Sequence, residues 1–181
     1  NPTRTGFFQL LKKQGANIKF SNLKKVNNEI RGNVEVKSCK LRPIKASKNY
    51  YVNSTDEYPI LFVIAALTQG VSTFKGIEDL ANKESNRIRE MKNVLSQIGV
   101  KCKSNKNEMK IFGKKKINKL NKTIKVPNLG DHRICMSAAI LSLVTGISAK
   151  INNFETVKTS SPSFLNIIKS LGGQFEIKKK S

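Results

Sequence analysis

The chain has 181 residues, 38% of them hydrophobic, with 34 Lys and Arg against 12 Asp and Glu, for a formal net charge of +22. That length suffices for one well-buried domain, and no unbroken apolar run of ~18 residues marks a membrane-spanning helix. Three scattered cysteines (Cys39, Cys102, Cys135) and a single histidine (His132) exclude a disulfide framework and any metal site of ordinary ligand spacing, and the sparse, odd cysteine count fits a reducing cytoplasm.

The chain opens on Asn1 rather than methionine and without a basic-then-apolar leader, so it reads as a processed chain or a piece of a longer one. "TGFFQLLKKQGANIKF" places Phe7, Leu10 and Leu11 on one helical face, then Gly15, then a strand with Ile18 and Phe20 alternating. "GNVEVKSCKL" adds strand character through Val34 and Val36. "YPILFVIAALTQGVSTFKGI" predicts a helix apolar nearly all round, hence buried, then Gly70 and a strand. "NRIREMKNVLSQIGVKCKS" spaces Ile88, Met91, Leu95 and Ile98 as an amphipathic helix, closed by Gly99 and followed by a strand. "NEMKIFGKK" is a further strand through Met109 and Ile111. Lys114 to Lys122 reads as a loop, with Pro127, Asn128 and Gly130 marking the next turn. "RICMSAAILSLVTGISAKINNF" predicts a second buried helix, Gly146 and a strand. "SPSFLNIIKSLGGQFEI" predicts a third amphipathic helix through Phe164, Ile167, Ile168 and Leu171, N-capped by Ser161 ahead of Pro162, then Gly172 and a last strand.

These elements form a repeat: buried helix, strand, surface helix, strand. The helix-closing glycines recur at a spacing of roughly 80 residues, too long for the usual solenoid. The first unit begins at its surface helix, so a segment of ~30 residues or more ahead of Asn1 is expected to complete it.

Polar residues gather just before the helices: Asp56 and Glu57, then Lys83, Glu84 and Arg87, then Asp131, His132 and Arg133. Free N–H groups at helix starts favour anions, arginines there grip phosphate or carboxylate, and Asp56 and Glu84 are candidate proton carriers. Each also has a plain structural role open to it. Asp56 and Asp131 are ordinary caps, Glu84 a first-turn charge, Arg87 a surface partner of Glu84 or Glu90, and His132 a satisfied imidazole. Their coincidence at the same end of successive units points to an anion-binding cleft with acid–base groups. The +22 charge is consistent with an anionic partner or with a lysine-biased solvated surface. Arginine is scarce and aromatics do not interleave with the basic residues, which argues against a nucleic-acid-binding domain.

"NPTRTGF", "DEYPILFVIAAL", "KESNRI", "GDHRICMSAAI" and "TSSPSF", in this order, resemble the 5-enolpyruvylshikimate-3-phosphate (EPSP) synthase family, in its C-terminal portion. The resemblance implies an inside-out α/β fold of repeated βαβαββ-type units, with buried helices surrounded by sheets. Here residues 1–50 would end a truncated first unit, 51–125 form a second and 126–181 a third. It implies transfer of the enolpyruvyl group of phosphoenolpyruvate to the 5-hydroxyl of shikimate 3-phosphate. No metal or organic cofactor would take part, and the cytoplasmic enzyme would be monomeric when complete with its N-terminal domain. By resemblance, Asp56 accepts the hydroxyl proton, Lys83 stands near that hydroxyl, and Glu84 moves a proton at the methylene carbon. Arg87 and Arg133 hold phosphoenolpyruvate, with His132 beside it, and Asp131 caps and orients its helix. Departures from the family pattern fall at Ala81, Asn82, Asn86, Thr159 and Ser161. The nearest alternative is the sister enzyme acting on UDP-N-acetylglucosamine; "KESNR" and "DHRICM" favour the shikimate enzyme.

Overall fold

The computed structural model describes residues 5–118 and 122–178. Residues 1–4 of the opening motif, 119–121 of the lysine-rich loop, and 179–181 lie outside the described residues.

Two parallel strand pairs, each bridged by a core helix, organise the molecule. Strand β3 (Lys45–Ala46) leads through the short helix α2 (Lys48–Val52) and a 3-10 turn (Thr55–Glu57) into helix α3 (Tyr58–Leu67). The chain returns as β4 (Gly70–Lys75), parallel to β3. Helix α4 (Arg87–Gln97) follows, then β5 (Lys101–Ser104) and β6 (Glu108–Gly113), giving a four-stranded sheet in the order β3-β4-β6-β5. This is the βαβαββ order. The second crossover runs from β7 (Ile124–Val126) through α5 (His132–Thr145) to β8 (Ala149–Ile151), again parallel, and is followed by α6 (Thr156–Ser160) and α7 (Phe164–Ser170). At the start of the chain, α1 (Gly6–Lys13) precedes a hairpin of β1 (Asn17–Val26) and β2 (Glu29–Lys37).

The core lies between α3, α4, α5 and the four-stranded sheet. Tyr58, Leu61, Phe62, Met91, Leu95, Met109, Ile111, Ile134 and Leu141 are all sealed from solvent within it. Each fully buried aliphatic or aromatic side chain of this kind contributes about 1.5–3 kcal/mol. The predicted face of α4 (Ile88, Met91, Leu95, Ile98) is buried throughout. Gly15, Gly99 and Gly172, each just past its helix, have the positive φ that only glycine adopts cheaply. Gly113 is needed for a different reason. A Cβ there would lie 2.0 Å from the Thr68 carbonyl oxygen and 2.1 Å from that of Ala65, because the end of β6 runs against the last turn of α3.

Several expectations need correction. Helix α5 is apolar but not buried all round: it packs on α3, α4, α6, β7 and β8 from one side, and Val144 on the other is 57% exposed. Among the described residues the strand expected after Gly172 does not form, and Phe175 and Ile177 are exposed on irregular chain. Ser161 ends α6 instead of capping α7, which starts after Ser163. Val34 and Val36 do lie in a strand, yet β2 is exposed along its whole length, because β1 is its sole neighbour among the described strands.

Candidate active site

Three of the helix starts face one another, and Asp131 shows why. It is the N-cap of α5, its Oδ1 accepting from the backbone N–H of Arg133 at 3.0 Å and of Ile134 at 3.4 Å. Its Oδ2 accepts from Ser85 Oγ at 2.8 Å and from Arg87 Nε at 3.0 Å. One fully buried carboxylate thus ties the start of α4 to the start of α5. Burial alone would push this carboxyl up. The Arg87 hydrogen bond and charge, with Ser85 and the helix N–H groups, outweigh it and hold Asp131 below the usual carboxylate value.

Arg87 is the first residue of α4 and only 1% exposed. Beside the Asp131 contact, its Nη2 pairs with Glu84, and its Nη1 lies 3.8 Å from Asp56 Oδ1. That Nη1 is buried and makes no hydrogen bond within the described residues. Asp56, on the turn before α3, also meets Arg133 Nη2 at 3.3 Å. Arg133 Nε donates to His132 Nε2 at 3.1 Å. The cluster therefore sets two guanidiniums against three carboxylates, drawn from residues far apart in sequence.

The structure brings together Asp56, Glu84, Arg87, His132 and Arg133. It does not bring Lys83 to either Asp56 or Glu84; Lys83 Nζ pairs instead with Asp79 at 2.6 Å. Asp56 is no cap: the residue ahead of α3 is Glu57, and its side chain makes no capping bond. Glu84 precedes α4 instead of lying in its first turn, and Arg87 is a core residue, with Glu90 taken by Arg89. The residues that sequence reasoning missed are Ser85, Asp79 and Tyr51. Ser85 stands inside the "KESNRI" segment, so its position was visible, but nothing local announces a partner 46 residues away.

Helix starts alone do not make anion sites here. Asp131 fills the N–H groups of α5, and Asn86 Oδ1 accepts from Arg89 N–H in α4. The accessible part of the cluster opens into a shallow pocket between α3 and α5, with Asp56, Glu57 and Arg133 polar and Ile60, Met136, Ile140 and Phe164 apolar. Among the described residues no group of three His, Cys, Asp or Glu side chains is arranged to hold a metal ion, and no helix is long and apolar enough to cross a membrane.

Comparison with known proteins matches residues 1–168 to the family described as EPSP synthase (3-phosphoshikimate 1-carboxyvinyltransferase). The 3-phosphoshikimate 1-carboxyvinyltransferase of Zymomonas mobilis is 34% identical over 179 residues, 98% of this chain and 40% of that protein. The enzyme of the same name from Petrotoga mobilis is 37% identical over 171 residues, 94% of this chain and 39% of that one. Among solved structures, an EPSP synthase from Acinetobacter baumannii superposes with a TM-score of 0.86 at 30% identity, over 99% of this chain and 41% of that one. The enolpyruvyl transferase NikO from Streptomyces tendae, at 12% identity and a TM-score of 0.65, shares the fold. The chain spans about two fifths of the length of the curated relatives it matches.

Proposed function

The chain belongs to the EPSP synthase family, and we propose that it forms part of an enzyme transferring the enolpyruvyl group of phosphoenolpyruvate to the 5-hydroxyl of shikimate 3-phosphate. The observation that carries this reading is the convergence of Asp56, Glu84, Arg87 and Arg133, from three helix starts, on one set of ion pairs.

The position of each residue supports a role. Arg133, 30% exposed, offers the accessible guanidinium for phosphoenolpyruvate. Arg87 joins the grip when Glu84, the most exposed of its three acidic partners, turns away from Nη2. Binding the anion thereby releases the two carboxyl groups that the reaction uses. Asp56 takes the proton of the 5-hydroxyl as that oxygen bonds to the central carbon of phosphoenolpyruvate, and Glu84, entering the step as the carboxylic acid, gives its proton to the methylene carbon and is left as the carboxylate. In the second step the Glu84 carboxylate takes a proton back from the resulting methyl group, the double bond re-forms, and phosphate leaves with the proton that Asp56 had accepted. The two guanidiniums, that of Arg87 fixed in advance by Asp131, stabilise charge as it moves onto the leaving phosphate. His132 supplies a hydrogen bond beside Arg133, and Lys83 stands near the acceptor hydroxyl.

We read residues 1–50 as the end of a truncated first unit of the enzyme and 51–125 and 126–181 as its second and third units, with β3, from the end of the first segment, lending the edge strand to the sheet of the second. The other portion of the enzyme is the partner. The half-buried strip of Ile60, Met136 and Ile140, continued by exposed Val144, supports such a covering. The complete enzyme is cytoplasmic and monomeric.

A chimaera in which this chain replaces the matching portion of the Zymomonas mobilis relative tests the activity. Phosphate release from phosphoenolpyruvate is expected with shikimate 3-phosphate and absent with UDP-N-acetylglucosamine; the reverse preference would replace this reading with the sister activity. The 181-residue chain alone is expected to show no turnover. Tight, salt-sensitive binding of arbitrary DNA or RNA would favour a nucleic-acid role instead.

A further inference from the structure

Tyr51 lies on α2 with its ring edge-on to Tyr58, 5.1 Å between centroids. Tyr58 meets Phe62 and Phe74 in the same manner, so Tyr51 is braced against the core and only 8% exposed. Its hydroxyl donates to Asp79 Oδ2 at 2.9 Å, and the same oxygen lies 2.6 Å from Lys83 Nζ. Asp79 and Lys83 are four residues apart, across the 3-10 turn Glu78–Asn82, with side chains 52% and 29% exposed. An exposed pair of two flexible side chains ordinarily contributes little. Here a third group, rooted in the core, fixes the acid in one place. The Lys83 ammonium first, then the Tyr51 hydroxyl, hold the Asp79 carboxyl below the usual range, and the charge of Arg87 pulls the same way. Burial, then Asp79 itself, raise the Tyr51 hydroxyl, which stays a proton donor.

We propose that Asp79, pinned by Tyr51, is the positioning residue of Lys83, holding its ammonium in one orientation at the end of the turn that leads into α4. The proposal rests on the reading that Lys83 serves the acceptor hydroxyl. Lysine carries as much rotamer freedom as any side chain, and ordering it before substrate arrives removes that cost from the reaction. None of the segments that carry the family resemblance contains Tyr51 or Asp79.

Two measurements separate the positioning from the reading beneath it. In the chain itself, competitive acetylation with mass spectrometry compares Lys83 with the other lysines. Asp79→Asn is expected to raise Lys83 labelling about fivefold, and Tyr51→Phe about twofold, with exposed Lys103 unchanged. Equal labelling in the wild type and Asp79→Asn overturns the proposal, whatever the activity. In the chimaera, Asp79→Asn and Tyr51→Phe are expected to lower kcat about tenfold with the KM for phosphoenolpyruvate within about twofold, and Asp79→Glu to recover part of kcat. Raised Lys83 labelling with unchanged kcat overturns the claim that its placement serves the reaction. A wild-type chimaera without turnover sinks the functional reading and this proposal's catalytic half, while the labelling ratio still decides the Tyr51–Asp79–Lys83 contact.

Discussion

Asp131 is the residue on which most of the site geometry depends. It caps α5, binds Ser85 and neutralises Arg87, all without exposure to water. Removing its charge leaves a buried guanidinium short of its principal partner, so Asp131→Asn is expected to cost about 3–5 kcal/mol in urea unfolding of the chain. A loss below about 1 kcal/mol would place the Arg87–Asp131 pair among exposed ion pairs. The pH dependence has a definite sign. The folded Asp131 carboxyl is depressed, so its contribution is fully present above the ordinary aspartate value of about 3.9 and is lost as pH falls through the lower folded value. Wild type should lose stability faster than Asp131→Asn on acidification below about pH 4. The thiols give a separate check. Cys39 is exposed, whereas burial pushes Cys102 and Cys135 each up to about 11. Iodoacetamide at neutral pH should alkylate Cys39 well before either of the others; comparable rates at Cys135 would contradict the burial of α5's inner face.

The secondary-structure elements differ in how firmly they are held. Strand β6 is clamped between β4 and β5, and its last residue, Gly113, presses on the final turn of α3, where Lys114 N–H also donates to the Ala66 carbonyl at 2.9 Å. A methyl group at Gly113 meets backbone carbonyls that cannot rotate away. Gly113→Ala should therefore destabilise by more than about 2 kcal/mol, well above the usual glycine-to-alanine effect in a strand. An unchanged melting temperature would mean that β6 and α3 stand further apart. The hairpin β1–β2 is the opposite case. It turns on Asn27 and Asn28, both with positive φ, and β2 buries nothing. Its amides should exchange with deuterium orders of magnitude faster than those of β4 and β6; equal protection would require a covering surface on the hairpin. Sequence periodicity could read the helices because their apolar faces repeat every three or four residues, as in α4. It could not read the hairpin turn, where asparagine occupies left-handed positions more often held by glycine. Nor could it see that α5 is covered on one side only, since apolar spacing reports what a helix could bury and not which neighbours arrive.

Across the whole molecule, two βαβ crossovers place the starts of α3 and α5 side by side, and the start of α4 joins them through Arg87 and Asp131. The sequence showed that charged residues cluster before helices and that the units repeat. It showed neither the 44-residue link between Arg87 and Asp131 nor the diversion of Lys83 to Asp79, because both are tertiary contacts with no local signature. Tyr51 and Asp79 escaped for the same reason. The central claim is that these helix starts form one enolpyruvyl-transfer site, and steady-state kinetics of four variants in the chimaera test it most directly. Asp56→Ala and Glu84→Ala should lose kcat by about a thousandfold or more, and Arg87→Ala and Arg133→Ala should chiefly raise the KM for phosphoenolpyruvate. Near-normal kcat and KM in all four variants would contradict the account.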